Sequence, residues 1–480
     1  MSPHRIRKAL AIPALLSALA LSTLAPSCAR NPLDLAINNG RVIDPESGLD
    51  AVRNVGIRDG KIVSISRDPL EGRTVLDAKG LVVAPGFIDL HSHAQSTETY
   101  RYQALDGVTT ALELEVGASD IDKWYLERKD GRLINYGVSV GHIPVRMAVL
   151  HDPGTFLPSG DAAHRAASLD EIKQIAQGIE DGLKKGAVDI GAGFPYTPAA
   201  TREELLEVFR IAGRYHVPVH VHIRGSLDGL DEAIALAAET KAPLHVVHIN
   251  SAGTTKTPEM LQKITDARAR GLDVTTEAYP YSAGMTEIKS ANLDTYQGAT
   301  DERLALLEWP RTGERLNRET FQKYRQLGGP VIIHTNTEEM VAAAISSPLT
   351  MIASDAYWEN GTGHPRTTGT YARVLGHYVR DTGSLTLMEA IRKMTLMPAQ
   401  RLEARVPSMR AKGRLLVGAD ADLTIFDAAR VVDRSTYREP TLPPVGIQDV
   451  IVNGVPVVVA GHAVEGVAPG RPVRAPLGLH

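Results

Sequence analysis

The chain has 480 residues, 43% of them hydrophobic and 22% charged, a composition typical of a soluble globular enzyme that is large enough to bury an extensive core. Its formal net charge at pH 7 is -4, and no block of Lys or Arg beyond the first residues forms the positive surface that nucleic-acid binding needs. Nucleic-acid binding is therefore not expected.

The first 30 residues have the pattern of an export signal peptide. Basic residues in the segment 4–8 precede the apolar segment 9–24, which is shorter than the roughly 20 apolar residues that a membrane span needs. The single cysteine, Cys28, directly follows Leu24-Ala25-Pro26-Ser27, a stretch similar to the bacterial lipoprotein box, in which the cysteine is lipidated. Plain cleavage after Ser27-Cys28-Ala29 is the alternative. We expect an exported protein that is either periplasmic or lipid-anchored to the membrane surface.

Two β-rich regions flank the middle of the chain. Residues 31–84 contain short β-rich pieces, and Asn38-Asn39-Gly40 and Asp59-Gly60 are expected to form hairpin turns between them. Residues 406–480 repeat this pattern, with apolar β-rich pieces at 422–426 and 450–457. We therefore predict a small β-sandwich domain formed from both termini.

Residues 85–405 alternate between strand and helix patterns, which predicts a (β/α)8 TIM-like barrel of the α/β class. After an opening strand that leads to residue 90, the predicted strands are 109–115, 138–142, 187–191, 217–223, 244–249, 273–278, 331–334 and 350–354. Residues of about 285–330, which include Trp309, interrupt the alternation and are predicted to form a small helical flap over the barrel mouth. In such a barrel the chemistry lies at the carboxyl ends of the strands.

Polar residues that can bind a metal occur at several predicted strand ends. His91 and His93 are two positions apart in an extended segment, so their imidazoles point the same way and can converge on one ion. Glu113 and Glu115 share one face of the next strand, where buried carboxylates need a cation. Glu115 lies nearer the carboxyl end and is the predicted ligand, with Glu113 as the alternative.

Later strands supply the remaining candidates. Strands five and six end near His222 and His248, which we predict to be ligands, whereas His220 and His245 are predicted to have packing or supporting roles. Strand eight ends on Asp355, a carboxylate that can bind metal and exchange a proton with a metal-activated water. Nitrogen and oxygen ligands without sulfur predict Zn2+, as one or two ions, and also suit Mn2+, Co2+ or Fe2+.

This set of residues, with Ala84 to His93 at its head, resembles the amidohydrolase superfamily and, within it, the D-aminoacylase (N-acyl-D-amino-acid deacylase) family. The resemblance covers almost the whole mature chain and is carried further by Gly107 to Thr110, Tyr279 to Gly284, Ser354-Asp355 with His364-Pro365-Arg366, and Gly413 to Asp427. It implies that His91 and His93 bind one metal and that His222 and His248 bind another, with a residue of strand two between them.

The resemblance also implies that Tyr279 and Arg366 hold a substrate carboxylate. The family's lysine two positions after the strand-six histidine is Asn250 in this chain, a candidate substrate-binding residue, and a serine of the family is Met285. Known members use a cysteine on strand two, where this chain has only glutamate. Hydantoinases and dihydroorotases bridge two metals with a carboxylated lysine, and residues 187–191 contain none.

These features predict a metal-dependent hydrolase that cleaves the amide bond of small-molecule N-acyl-D-amino acids with a metal-activated water. The alternatives are an amidohydrolase of the same fold that acts on dipeptides or other carboxylate-bearing amides, and a metal-binding surface lipoprotein without catalysis. Asp355 disfavours the last alternative, because a protein that only binds metal has little need of a proton-transfer carboxylate.

Overall fold

The computed structural model describes residues 32–359 and 361–478, and the residues from Leu33 onward form one compact unit. The predicted signal peptide of residues 1–30, including Cys28 and its two alternatives of lipidation or plain cleavage, lies outside the described residues. Within the described part of the chain, no helix combines the length and the apolar character that crossing a membrane requires.

The described part of the chain contains 23 β-strands. Their bounds are β1 Leu33–Asp44, β2 Leu49–Arg58, β3 Lys61–Ser66, β4 Gly72–Asp77, β5 Val82–Pro85, β6 Phe87–Asp89, β7 Val108–Ala118, β8 Asn135–Gly141, β9 Ile190–Gly193, β10 Val219–His222, β11 Leu244–Val246, β12 Val274–Ala278, β13 Gly284–Glu287, β14 Leu307–Trp309, β15 Glu314–Arg315, β16 Pro330–Ile333, β17 Thr350–Ile352, β18 Trp358–Glu359, β19 Thr362–Gly363, β20 Leu423–Phe426, β21 Ile447–Val452, β22 Val455–Val459 and β23 His462–Ala463.

The helices lie mainly between the parallel strands. Their bounds are α1 Thr97–Leu105, α2 Ile121–Leu126, α3 His142–Val149, α4 Asp161–His164, α5 Leu169–Lys184, α6 Arg202–Tyr215, α7 Leu227–Thr240, α8 Ile249–Gly253, α9 Thr257–Ala269, α10 Asp301–Leu304, α11 Arg318–Leu327, α12 Glu338–Ser346, α13 Arg366–Arg373, α14 Leu387–Met394 and α15 Leu396–Leu402. A π-helical segment, Val374–Asp381, continues α13.

Local sequence signals explain where the longer helices begin and which face they bury. In α5 the hydroxyl of Ser168 accepts the amide hydrogen of Glu171 and the Glu171 side chain accepts that of Ser168, a reciprocal cap that starts the helix. Ile172, Ile175 and Ile179 follow at helical spacing and are buried. This apolar stripe packs the helix onto the barrel.

Both termini contribute to one large sheet, as predicted. Its strands are ordered β23-β22-β21-β20-β5-β1-β2-β3, with β4 also paired to β1. The turn Asp59-Gly60 joins β2 to β3 as a hairpin, as expected. Asn38-Asn39-Gly40 does not form a turn: β1 continues through it with a register shift between Ile37 and Gly40, so the predicted hairpin is a bulge.

The middle of the chain forms the predicted barrel, an eight-stranded parallel sheet in the order β17-β12-β11-β10-β9-β8-β7-β6. Alternation along β7 separates two environments. Leu112 and Leu114 lie in a hydrophobic cluster with Leu402 of α15. Glu113 and Glu115 instead contact His93 and His91, and the pairing of β7 with β8 shifts register between Glu113 and Ala118.

The first and last barrel strands meet at a seam that few backbone hydrogen bonds close. The His93 amide donates to the Ala356 carbonyl at 2.8 Å. The Asp89 carboxylate adds two bonds by accepting the Ser354 amide at 3.0 Å and the Ser354 hydroxyl, and that hydroxyl also lies 3.4 Å from the His91 carbonyl oxygen. Asp89 is fully buried. Its side chain joins the two strands at this seam, whereas backbone hydrogen bonds join the other neighbouring strands.

The flap differs from the prediction in two ways. Residues 331–334 were expected to form a barrel strand, but β16 pairs antiparallel with β13 and β14 in a separate four-stranded sheet. The flap is therefore a mixed unit of this sheet with α10 and α11 rather than a helical one. Its own core includes Trp309, whose ring stacks on Tyr324 with centroids 4.1 Å apart.

Candidate metal centre and active site

The structure brings the six predicted metal-binding and catalytic residues together at the carboxyl ends of five barrel strands. They form two groups that share Glu115, and within each group the potential ligand atoms lie within 4.8 Å of one another. The first group is His91, His93, Glu115 and Asp355, and the second is Glu115, His222 and His248.

Glu115 lies between the two histidine pairs. Its Oε2 is 2.9 Å from Nε2 of His91 and 3.1 Å from Nε2 of His93. Its Oε1 is 2.8 Å from Nδ1 of His222 and 4.0 Å from Nε2 of His248. Each oxygen of this carboxylate therefore faces a different pair, which suits one ion or two ions bridged by Glu115.

The hydrogen bonds of His91 and His93 show that a cation fits between them. Nδ1 of His91 lies 2.6 Å from the Glu277 carboxylate, and Nδ1 of His93 lies 2.7 Å from the Glu113 carboxylate. When each Nδ1 donates its proton to the neighbouring carboxylate, the Nε2 atom of the neutral ring has a lone pair that a metal ion can take. Those two Nε2 atoms face each other at 3.1 Å, an arrangement that a metal ion stabilises.

The electrostatic field at this position also favours a cation. Burial alone would lower the pKa of His91, but the negative charges of Asp355, Glu277 and Glu115 raise it well above its ordinary value. Burial likewise opposes the charged form of His93, and Glu113 is the largest of the influences that raise its pKa. A field that favours protonated imidazoles in the absence of metal attracts a divalent cation to the same place.

His248 provides a neutral ring. Burial, followed by the neighbouring His222, lowers the pKa of His248 to about 3, so its lone pair is available to a metal. Its backbone has φ of 33°, in the left-handed region that a residue with a side chain rarely adopts. Strain of this kind is characteristic of functional sites, where it aims a side chain.

Asp355 has the same type of strained backbone, with φ of 51°, and stands where the last barrel strand has ended. Its Oδ1 is 3.4 Å from Nε2 of both His91 and His93, and its Oδ2 is 2.9 Å from Nη2 of Arg366. Burial would raise the pKa of Asp355, but the charges of Arg366 and His91 hold it far below its usual range. The carboxylate is therefore ionised and able to accept a proton.

Sequence reasoning missed Glu277, a fully buried carboxylate on β12. Besides holding His91, its Oε2 lies 3.1 Å from Nε2 of His245. His220 stacks on His245 with ring centroids 4.3 Å apart and lies 3.0 Å from Asp189. The two histidines that were predicted to support rather than bind metal thus lie beneath the site. A single charged residue in a strand that is otherwise uncharged was the available signal for Glu277.

The predicted substrate-binding residues lie on one side of the centre. The guanidinium of Arg366 lies 4.6 Å from the ring centroid of Tyr279 and is fully buried, and its Nε and Nη1 have no partner among the described residues. Asn250 is also buried, and its amide donates to the Tyr279 carbonyl at 3.1 Å. Tyr279 lines the open space above the metal centre, whereas Asn250 lies behind it and supports its backbone.

A cavity of about 490 Å³, here called the first cavity, opens above the metal centre. Its wall includes Glu115, His222, His248, Tyr279 and Asp355, and the flap contributes Arg303. A small molecule in this space reaches the candidate ligands and the ionised Asp355 together.

Comparison with known proteins places this geometry in a family. The amidohydrolase family model matches residues 82–457. An N-acyl-D-glutamate deacylase of Alcaligenes xylosoxydans xylosoxydans is 31% identical, with 92% of this chain and 96% of the relative aligned. A D-aminoacylase of the same organism is 30% identical, with 89% of this chain and 94% of the relative aligned.

A solved structure shows the same architecture. It is an N-acyl-D-glutamate deacylase from Bordetella bronchiseptica in complex with zinc and a phosphonate inhibitor that mimics the tetrahedral intermediate of the reaction. Its TM-score is 0.81 at 25% sequence identity, and the alignment covers 93% of this chain and all of that one. The zinc in that relative agrees with the prediction of Zn2+ from the donor set.

Proposed function

Because the chain belongs to the amidohydrolase family, in the group of the D-aminoacylases, we propose that it hydrolyses the amide bond of an N-acyl-D-amino acid. The observation that carries the proposal is the position of Glu115 between two histidine pairs, with the ionised Asp355 beside them. We assign the metal to His91, His93, Glu115, His222 and His248, and the proton transfer to Asp355.

The chemistry follows from these positions. The bound metal supplies a Lewis acid that polarises the amide carbonyl and makes water a nucleophile near neutral pH. Asp355 accepts the proton that this water loses as the new C–O bond forms. When the C–N bond breaks, Asp355 returns that proton to the departing nitrogen, so that a carboxylic acid and a free amino acid result. Arg366 fixes the orientation of Asp355 through the 2.9 Å contact between Nη2 and Oδ2.

Arg366 and Tyr279 support a carboxylate-bearing substrate. The guanidinium is buried beside the first cavity with Nε and Nη1 unpartnered, and a buried cation with spare donors is stabilised by a carboxylate. A Cβ at Gly284 would lie 3.1 Å from the Tyr279 hydroxyl, so the glycine keeps this corner open. The α-carboxylate of an N-acyl amino acid has the charge and size for this corner.

A substrate panel tests the proposal. Metal-loaded enzyme is assayed with N-acetyl-D- and N-acetyl-L-amino acids of acidic, apolar and polar side chains, together with dipeptides of the same residues. We expect turnover of one or more D-substrates, with the matching L-substrates at least 10-fold slower. If the enzyme hydrolyses dipeptides but none of the N-acyl-D-amino acids, it is an amidohydrolase of the dipeptide-cleaving type. If it hydrolyses no substrate of the panel, the proposal is refuted.

Asp355→Asn separates catalysis from metal binding. Asparagine tolerates the left-handed backbone that Asp355 requires, and it cannot accept the proton. We expect kcat to fall by roughly 10²–10⁴-fold while the metal content, measured by inductively coupled plasma mass spectrometry, persists. A variant that retains both its metal and its full activity would remove Asp355 from the proton transfer.

We also propose that the protein is exported, because residues 4–24 have the basic and apolar regions of a signal peptide. Export is tested by expressing the protein in a bacterial host and determining the mature N-terminus by mass spectrometry. A chain that begins with diacylated Cys28 supports a lipid anchor, and an unmodified N-terminus near residue 30 supports a periplasmic protein. A retained Met1 would contradict export.

A further inference from the structure

A second cavity, of about 840 Å³, adjoins the metal centre on the other side of His93. His93, Phe156 and Tyr357 belong to the walls of both cavities. The ring centroid of Phe156 lies 5.3 Å from that of His93 and 5.6 Å from that of Tyr357. These three rings mark the place where the two cavities adjoin, beside the candidate metal centre.

The inner wall of the second cavity is aromatic and apolar. Trp309 and Leu157 are buried there, and Phe156 and Trp358 are half-buried. Leu327, at the edge, is 67% exposed, one of the more exposed large hydrophobic side chains in the described part of the chain. Apolar and aromatic walls of this kind gain free energy when they enclose apolar groups.

Charge distinguishes the two cavities. Lys256 and Arg303 line the first cavity nearer solvent, and Glu115 and Asp355 line it at the candidate metal centre. Arg366 lies directly behind this wall, where it contacts Asp355 and Tyr279. The second has charged side chains of both signs in equal number, Glu287 and Glu359 against Lys289 and Arg311. The Glu287 carboxylate is already held by the Gly329 amide at 2.8 Å. A substrate carboxylate therefore fits better near Arg366, whose Nε and Nη1 have no hydrogen-bond partner among the described residues, than in the second cavity, where cations and carboxylates are equal in number.

An amide at the metal centre has two arms, one on the nitrogen and one on the carbonyl carbon. If the amino-acid arm lies against Arg366, the arm on the carbonyl carbon extends past His93. We infer that the second cavity holds the acyl group of the substrate and that this group is bulky and apolar, an aromatic ring or an alkyl chain of several carbons. This inference rests on the proposed function and names the substrate class within it.

Matched acyl derivatives test the inference. The D-amino acid with the highest turnover in the N-acetyl panel is prepared as its N-acetyl, N-hexanoyl and N-phenylacetyl forms. We expect kcat/KM for the hexanoyl and phenylacetyl forms to exceed that for the acetyl form at least 10-fold, mainly through a lower KM. Equal or faster hydrolysis of the acetyl form overturns the inference and leaves the proposed function intact, whereas no hydrolysis of any form refutes both.

Trp358 provides a variant test. Trp358→Ala removes one aromatic wall, and we expect the phenylacetyl-to-acetyl ratio of kcat/KM to fall at least 5-fold, with Trp358→Phe retaining most of the ratio. Trp124→Ala is the matched control: Trp124 is also half-buried, but it packs on Arg128 outside both cavities, and its removal should leave the ratio unchanged. An unchanged ratio in a folded Trp358→Ala enzyme contradicts the assignment.

Product inhibition gives a measurement that needs no variant. The released carboxylic acid should return to the second cavity, so phenylacetate should inhibit the unmodified enzyme with an inhibition constant at least 10-fold lower than that of acetate. Equal inhibition by the two acids would overturn the inference.

Discussion

Glu115 determines how the two histidine pairs are linked. A carboxylate has two oxygens that diverge from one carbon, and here each oxygen faces one pair, at 2.9 Å from His91 and 2.8 Å from His222. A single-atom bridge would hold two ions closer together. Because a carboxylate oxygen is a harder ligand than a thiolate, this centre suits Zn2+ and also accommodates Mn2+ or Co2+.

Glu277 is the residue whose substitution should weaken the metal site without removing a ligand. Glu277→Gln keeps the size of the side chain and removes the negative charge that holds Nδ1 of His91, and we expect metal affinity to fall about 10–100-fold. Competition with a chromophoric chelator measures that affinity. Glu338→Gln is the control. The Glu338 carboxylate lies 3.0 Å from Nε2 of His377, the same type of contact, and neither residue belongs to the two candidate metal groups.

Equal metal affinity in Glu277→Gln and the unmodified enzyme would show that His91 is oriented by packing alone. Loss of affinity in both variants would indicate a general effect of glutamate removal rather than a specific one.

For individual residues, the sequence predicts the direction of a side chain where that direction depends only on neighbouring residues. His91 with His93, and Glu113 with Glu115, are two apart on extended chain, so their common direction follows from the strand itself. Which carboxylate serves each histidine is not local: Glu277 is 186 positions from His91. Nothing in the residues around either one specifies that contact.

Among the elements, β9 passes close to the backbone that carries Glu115. A Cβ at Gly191 would lie 2.3 Å from the Glu115 carbonyl oxygen and 2.6 Å from that of Leu114. Because the neighbouring atoms are backbone, they cannot turn aside as a flexible side chain would. The lack of a side chain at Gly191 therefore sets the position of Glu115 relative to the histidines.

Gly191→Ala should displace that backbone. We expect a loss of stability of about 1–3 kcal/mol, as for overpacked cores, together with weaker metal binding. Urea unfolding and chelator competition measure the two effects. Gly225→Ala is the matched control, since nothing lies within 4 Å of its added Cβ, and its stability should stay within about 1 kcal/mol of the unmodified protein. Equal effects of the two substitutions would contradict the close approach at Gly191.

Lys393 of α14 makes stability depend on pH. Its ammonium is buried and donates to the Thr350 carbonyl at 3.0 Å and to the Ser347 carbonyl, at the start of the strand that leads to Asp355. Burial lowers the pKa of Lys393 from 10.5 to about 8. Between these values the unfolded chain keeps the proton that the folded chain releases, so the free energy of unfolding rises with pH in this window.

The comparison with Lys393→Met isolates this contribution. From pH 8 to pH 10.5 the unmodified protein should gain about 3 kcal/mol relative to the variant, and below pH 8 the difference between them should be constant. Urea midpoints across this range provide the measurement. A difference that does not change with pH would mean that Lys393 keeps its proton in the folded protein.

Elements could be predicted from the sequence where local signals define them completely. The prediction was wrong for a strand whose pairing partner is set by the rest of the fold. Helix α6 begins and ends where its own sequence places it, after the side-chain cap of Thr201 and before the left-handed His216. Residues 331–334 have the apolar pattern of a barrel strand, yet β16 pairs with β13 and β14 of the flap. An apolar run indicates that a strand is buried, but it does not indicate which strand will pair with it, because pairing depends on the tertiary structure.

Across the whole molecule, the candidate ligands lie on β7 and β10 and directly after β6 and β11, at one end of the strand order and in its middle, and Asp355 faces them from the segment after β17 at the other end. Metal binding therefore ties together parts of the barrel that are far apart in sequence. A ligand that binds only the folded state stabilises it in proportion to the logarithm of its concentration.

Removal of the metal should destabilise the whole barrel. After dialysis against a chelator we expect Tm to fall by roughly 5 °C and to recover when Zn2+ is returned, but not when Mg2+ is added, because imidazole ligands suit zinc. Differential scanning calorimetry measures the shift. Equal Tm values for the metal-free and zinc-loaded forms would show that the ligands are already held rigidly by the protein.

The seam between the first and last strands has a consequence for how long a bound ion stays. His93 lies on one side of the seam and Asp355 on the other, and the Asp89 carboxylate accepts two of the hydrogen bonds that join the two sides. When those bonds open, the histidine pair separates from the carboxylate that faces it. We therefore expect the residence time of a bound metal to follow the opening rate of the barrel, and hydrogen exchange at the Ser354 amide to report the same motion as metal exchange.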